Sequence, residues 1–327
     1  MASSKIGRNY RLLIQNYPKV TPALAGGTTS STEVGNTAQN ETTQTAIQID
    51  FPFTIDFDIH RFIGSANNEM NLRIFNLAEK TRFLIVKDPF NNQWVNTGGH
   101  YNQIQLQAGY GKNLSMIFVG EVLDAYSERV GPDVITHVRA VTGAYGRYNT
   151  YINQTFAENT TNQEIVNSII QELVLRGDMQ RGAIKPIDGV AVTGFVGGGD
   201  AFNILSQFGP VFVDLNQINI LQLDQVIGAI GGAKNVLLLN ADSGLLGTPL
   251  RRQTMIEVKL IFEPLVKLGQ LVEIQSTTDK RFNGQYKVMG IEHKGIISGS
   301  MNGPLTTTLQ LYLGNKALQA YVNIPAA

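Results

Sequence analysis

The sequence has 327 residues, of which 43% are hydrophobic and only 16% charged, and its 26 basic and 26 acidic residues cancel. A neutral total argues against a binder that grips nucleic acid through counterion release, which needs a basic patch, though a neutral total leaves room for a local one, and it suits a subunit built to assemble into a larger structure. The absence of cysteine excludes disulfides, thiolate nucleophiles, iron–sulfur centres and cysteine-type zinc sites.

The opening segment MASSKIGRNYRLLIQ lacks the apolar core of a secretory signal, and no apolar run approaches the roughly twenty residues of a membrane helix. A soluble protein made in a cytoplasm is expected. Tyr10–Gln15 is a strand candidate, and residues 18–45, rich in Thr, Ser, Gly and Asn, read as a flexible insertion, with a partner-ordered binding arm as the other reading. From Gln48 to Ile59 the pattern alternates: Ile49, Phe51, Phe53, Ile55, Phe57 and Ile59 on one face, and Gln48, Asp50, Pro52, Thr54, Asp56 and Asp58 on the other. That predicts one strand of about a dozen residues, roughly 40 Å long, buried on one side. Pro52 cannot donate to a ladder and marks an edge, a bulge or a bend within it.

Met70–Ile74 alternates again, and Asn76-Leu77-Ala78-Glu79 has the spacing of a capping box. A short helix through Arg82 and a strand over Phe83–Val86 should follow. A loop carries Trp94, Ile104–Ala108 is a strand, residues 109–113 form a hairpin turn, and Met116–Leu123 is apolar on both parities, as in a central strand. The strand continues to Arg129, turns at Gly131-Pro132-Asp133 and returns over Val134–Val141. Residues 1–149 therefore form a first β domain, closed or nearly closed into a barrel.

Residues 150–247 read as a small α+β domain. Thr161–Glu164 is a second capping box ahead of Ile165, Val166, Ile169, Ile170, Leu173 and Val174 at helical spacing, with Gly177 as the stop. Asp200 caps a shorter helix bearing Phe202, Leu205 and Phe208, a hairpin turns at Asn216-Gln217, and Leu237–Asn240 is a further strand. Residues 248–327 are β again, with strands around Ile256–Phe262, Gln270–Gln275, Tyr286–His293 and Leu305–Leu313. The two β regions rhyme. LRIFNLAEKTRFLIV and VKLIFEPLVKLGQLVEI each lead a strand through helical or turn residues into another strand. A glycine then interrupts each apolar strand (Gly120, Gly290), and a Gly-Pro turn follows (Gly131-Pro132, Gly303-Pro304). One duplicated module explains both. The fold class is mainly β with a smaller α+β part, two β-barrel domains flanking an α+β domain.

No chemistry stands out. His60, His100, His137 and His293 lack metal-ligand spacing and read as strand-end or surface residues. Asp56 and Asp58, with Glu69 near in sequence, could be imagined as a glycosidase pair, but they fall on the wet parity of an edge-like strand, where charge guards against misassembly. Gly197-Gly198-Gly199-Asp200 lacks the Lys-Ser/Thr of a phosphate loop, and its carboxylate would repel phosphate. No catalytic, cofactor-binding or metal residue is assigned, no cofactor is expected, and the protein is read as a non-enzyme.

The runs FTIDFDIHRF, NLRIFNLAEKTR, IQLQAGY, IFVGEV, GGGDAFNILSQFG, VFVDLNQINI, LLLNADSGLLGTPLRR, EVKLIFEPLVKLGQLVEI and GQYKVMGIEHKG, in that order, resemble the central baseplate hub of contractile-tailed bacteriophages, a family related to the spike base of bacterial contractile injection systems. The resemblance covers most of the chain, excepting residues 18–45 and the Trp94 loop. It implies a structural virion protein: a homotrimer with two tail-tube-like barrels per chain, joining the sixfold tail tube to the threefold central spike. Tail tube or tube-initiator proteins, the spike and the tape-measure protein are the implied partners. DNA passes through the lumen without specific binding, and no membrane is involved. The implied location is the tail baseplate of the virion, assembled in the host cytoplasm. A fused lysozyme, present in some relatives, has no room before Ala327. The alternatives are the spike base of a bacterial injection system and, from a different class, a baseplate cell-wall hydrolase.

Overall fold

The computed structural model describes residues 5–15, 46–64, 68–85, 101–227, 236–252 and 254–312. The expected insertion at 18–45, the Trp94 loop and His100 lie outside them. The first β region supplies β1 (Arg8–Gln15), β2 (Ala46–Asp50), β3 (Ile55–Phe62), β4 (Glu69–Phe75), β5 (Gln103–Tyr110), β6 (Asn113–Val130) and β7 (Asp133–Val141), with helix α1 (Glu79–Ile85) between β4 and β5 and helix α2 (Ala144–Asn149) after β7. The middle segment holds β8 (Tyr151–Phe156), β9 (Thr160–Thr161), helix α3 (Asn162–Arg176), β10 (Gln180–Ile184), β11 (Val190–Ala191), β12 (Phe195–Asp200), helix α4 (Ala201–Leu205), β13 (Val211–Asp214) and β14 (Gln217–Ile220). The last region supplies β15 (Leu237–Leu239), β16 (Leu245–Arg252), β17 (Met255–Ile261), β18 (Leu271–Ile274), β19 (Gly284–Ile297) and β20 (Leu305–Tyr312).

The two β regions form one 13-stranded sheet, ordered β16-β17-β20-β19-β3-β4-β7-β6-β5-β1-β2, with β18 on β19 and β15 on β18. The chain's halves meet where β19 pairs antiparallel with β3, Gly290 opposite Phe62 and Ile297 opposite Ile55. Two cores lie against this sheet. One gathers Tyr10, Leu12, Ile55, Phe57, Ile59, Leu72 and Phe118, the other Ile256, Val258, Leu260, Val272, Val288 and Leu309. Phe262 belongs to the first core although it follows β17, and its ring meets Phe57 edge-on, centroids 6.3 Å apart.

The rhyme between the regions is a shared topology. In the first, hydrogen bonding runs β3-β4-β7-β6-β5; in the second, β16-β17-β20-β19-β18, every pair antiparallel. Gly120 and Gly290 hold matching places in β6 and β19. A Cβ on Gly120 would meet the Val141 carbonyl at 2.7 Å, and one on Gly290 the Phe62 ring at 2.8 Å. Both glycines allow a neighbouring strand to approach closely.

Several expectations need correction. The alternating run from Gln48 to Ile59 is two strands, broken over residues 51–54, because Pro52 offers no N–H to a ladder. β2 pairs with β1, and β3 with β4 and β19. Ile49, Ile55, Phe57 and Ile59 are buried as the parity requires, but Phe51 and Phe53 lie in the break, and Phe53 is 46% exposed. Residues 83–85 extend α1 instead of starting a strand: its single turn of apolar residues buries Ile85 and leaves Phe83 and Leu84 outside. Asn76 does not cap α1. Held at φ 57, its side chain accepts from the Val134 N–H at 2.9 Å and donates to Asp133 at 2.8 Å, fastening the start of β7. The boundary expected at 247/248 falls inside β16, and β15 pairs with β18, in the last region's part of the sheet.

The middle segment follows its sequence signals. Thr161 Oγ1 accepts from the Glu164 N–H at 3.2 Å while the Glu164 carboxylate accepts from the Thr161 N–H at 3.0 Å, a complete capping box for α3. Asp200 accepts from the Asn203 N–H at 2.8 Å and caps α4. A third core joins Ile165, Ile169, Leu173, Phe202 and Ile218. The segment is fastened to the sheet by a buried pair: Arg61 on β3 donates from Nε and Nη2 to both oxygens of Asp214 on β13, at 2.8 and 2.7 Å. Asn68 donates to the Val213 carbonyl beside it at 2.7 Å.

Candidate functional site

Opposite the two cores, the same strands present a polar face, since consecutive residues point to opposite sides of a sheet. β3 contributes Asp56, Asp58 and His60, β4 Glu69, Asn71 and Arg73, β7 His137 and Arg139, β19 Glu292 and Lys294, and β17 Glu257 and Lys259. Register turns these into cross-strand pairs of opposite sign. Asp56 stands opposite Arg73 and binds it; Asp58 stands opposite Lys294, whose Nζ lies 2.6 Å from Oδ2. The hydrogen bond to Asp58 holds the Lys294 ammonium above its usual range. Arg139 meets Glu69 at 3.4 Å, and His137 meets Glu128 at 2.9 Å while stacking on Tyr126, ring centroids 4.6 Å apart. Asp56, Asp58, Arg73, His137, Arg139 and Lys294 line an open groove of about 720 Å³.

Asp56 and Asp58 do lie on the wet face, but β3 is a central strand between β4 and β19 and not an edge. Their charges are spent on neighbours within the sheet. His60, which showed no partner in the sequence, stands directly across from Glu292. Its Nε2 lies 2.9 Å from Asp58 Oδ1, and ligand atoms of Asp58, His60 and Glu292 all fall within 4.8 Å of one another, the arrangement among the described residues that could hold a cation. Lys294 already occupies the second oxygen of Asp58. His293 points the other way, fully buried against Phe262 and Thr307 Oγ1, and burial drives its pKa down to about 3, so it stays neutral. The run of three glycines and an acid, Gly197 to Asp200, is the end of strand β12 plus a helix cap.

Glu121 is a buried carboxyl the sequence did not single out. It sits on β6 at 4% exposure, and one oxygen accepts from the Tyr145 N–H at 2.5 Å, capping α2 in place of Gly143, which has no side chain. Burial, with Asp178 nearby, pushes its pKa up to about 7 against the effect of that hydrogen bond. Asp178 itself accepts from Gln103 Nε2 at 2.9 Å. No helix among the described residues is long and apolar enough to cross a membrane.

Solved structures share this fold. The prophage MuSo2 43 kDa tail protein of Shewanella oneidensis superposes with a TM-score of 0.56 at 9% identity, over 93% of this chain and 97% of that one. A tail protein of Neisseria meningitidis MC58 gives 0.50 at 7% identity, over 81% and 98%. The Escherichia coli c3393 protein, a component of the type VI secretion system described as similar in structure to the T4 tail proteins gp27 and gp5, gives 0.52 at 12% identity, over 80% and 74%. No curated protein sequence matches the chain. The model of the family Baseplate hub gp41 matches residues 33–298, and the chain belongs to that family of structural phage baseplate proteins.

Proposed function

We propose that this hub works as a homotrimeric adaptor, without catalysis, between a sixfold tail tube and a threefold central spike. The observation that carries the reading is the strand order β3-β4-β7-β6-β5 repeated as β16-β17-β20-β19-β18 within one chain. Three chains with two like modules each present six similar sites toward the tube while keeping threefold symmetry toward the spike. Closed rings are the usual product of head-to-tail contacts whose rotation closes. In this reading the modules are two tube-like barrels, the second starting near Leu237, with the α+β segment between them in sequence. Tube or tube-initiator proteins, the spike and the tape-measure protein are its partners, and assembly occurs in the host cytoplasm.

The polar face suits the wall of a channel for DNA. Its acids and bases are paired within the sheet, Asp56 with Arg73, Asp58 with Lys294, Glu69 with Arg139. Such a face has no single-sign field to hold phosphates, whose grip depends on unpaired cations releasing counterions. The test is electron cryomicroscopy of the protein co-expressed with its spike, or of the virion. Three copies per ring are expected, with the two modules superposing. Six copies per ring, or modules that do not superpose, would overturn the adaptor.

A further inference from the structure

Most acids of the polar face are matched with a cation: Asp56 with Arg73, Asp58 with Lys294, Glu69 with Arg139, Glu257 with Arg252. Glu292 on β19 is not. It forms no hydrogen bond or ion pair among the described residues, although its charge acts on Lys294 two positions along the strand. Register sets it directly across from His60 of β3. Asp58, two residues before His60 on the same face, carries a second unsatisfied group. Its Oδ2 is taken by Lys294 at 2.6 Å. Its Oδ1 is shut off from solvent yet accepts no hydrogen bond, because His60 Nε2 stands 2.9 Å away but outside hydrogen-bond geometry. A buried acceptor left without a donor is destabilising.

We propose that Asp58 Oδ1, His60 Nε2 and one oxygen of Glu292 bind a divalent first-row metal ion, such as zinc, across the seam between the two modules. The three ligand atoms lie within 4.8 Å of one another. Metal bonds of about 2.1 Å at right angles put neighbouring ligand atoms about 3 Å apart, close to the 2.9 Å between His60 Nε2 and Asp58 Oδ1. Two carboxylates neutralise a divalent cation, and the imidazole favours a transition ion over magnesium or calcium. His60 binds as neutral imidazole, with its proton on Nδ1. Lys294, by holding Oδ2, turns Oδ1 toward His60, as hydrogen bonds commonly orient ligating carboxylates. The β3–β19 ladder fixes the register of all three ligands. Two come from the first module and one from the second, so the ion fastens the seam. The site lies within one chain and needs no second copy.

The test titrates the chelator-treated full chain with Zn²⁺ by isothermal calorimetry and follows its melting by circular dichroism. One ion per chain is expected. Because the ion binds the folded state, the melting temperature should rise by at least about 3 °C at saturating Zn²⁺. His60→Gln and Glu292→Gln, each first shown to keep the parent's far-ultraviolet spectrum, should weaken binding at least about tenfold and lose most of that rise. His137→Gln, on the same face beside Glu128 but outside the triad, should bind as the parent does. A parent that binds no Zn²⁺ would overturn the site. So would binding that both His60→Gln and Glu292→Gln retain, since the ion would then sit elsewhere.

Discussion

Replacing Arg61 with Met tests how firmly the α+β segment is tied to the sheet. Arg61 is 3% exposed and Asp214 9%, and the guanidinium grips both carboxylate oxygens while a third N–H reaches the Ile117 carbonyl at 3.4 Å. The variant keeps the apolar stem but strands a carboxylate in a site built for its partner. Breaking a buried pair from one side costs roughly 3–5 kcal/mol. Because the Asp214 side chain keeps 12% of its exposure, some water reaches it, and the lower end, about 3 kcal/mol, is expected. Removing both charges, Arg61→Met with Asp214→Leu, should restore stability to within about 1–2 kcal/mol of the parent, since desolvating the pair consumes most of its attraction. Urea unfolding followed by far-ultraviolet circular dichroism measures all three variants, and the double-mutant cycle isolates the coupling. If Arg61→Met cost less than about 1 kcal/mol, or if the two losses simply added, the pair would not be the fastening described here.

Three further expectations concern the cores, the pH response and the absence of catalysis. Phe57→Ala should cost roughly 3–5 kcal/mol, because the ring is buried and packs edge-on to Phe262, whereas Phe53→Ala, in the exposed break after β2, should cost less than about 1 kcal/mol; equal melting temperatures would refute the core assignment. For Glu121 burial raises the folded pKa from the ordinary 4.5 to about 7, so the folded state holds the proton more tightly. Its contribution to stability is complete below pH 4.5 and is lost as pH rises through about 7. Glu121→Gln should therefore stabilise at pH 8 by up to about 3 kcal/mol and have little effect at pH 4; a gain that did not depend on pH would show that Glu121 is not the titrating group. A peptidoglycan zymogram should stay blank, and a clearing zone abolished by Asp56→Ala or Asp58→Ala would establish a hydrolase.

How much could be read in advance depends on whether a feature is local. The Thr161–Glu164 capping box, the Asp200 cap, the turns at Gly131 and Asn216 and the parity of Phe57 and Ile59 are set by residues within a few positions of one another, and each stands where its pattern puts it. The errors arose where a long-range partner decided. Asn76 has the spacing of a cap, but Asp133 and Val134, more than fifty residues on, claim its side chain. The charged face is the clearest case. Asp56, Asp58 and His60 were visible as one parity, yet whether they guard an edge or sit mid-sheet depends on the register of β3 against β19, which joins residues more than 230 positions apart. A one-residue slip in that register would carry Phe57 and Ile59 to the wet face, so the buried side fixes the pairing of the charged side. The two modules also share this seam's geometry only as backbone topology, with few common side chains. Hydrogen bonding between strands is indifferent to most side chains, so one strand order can recur in two regions that have few residues in common.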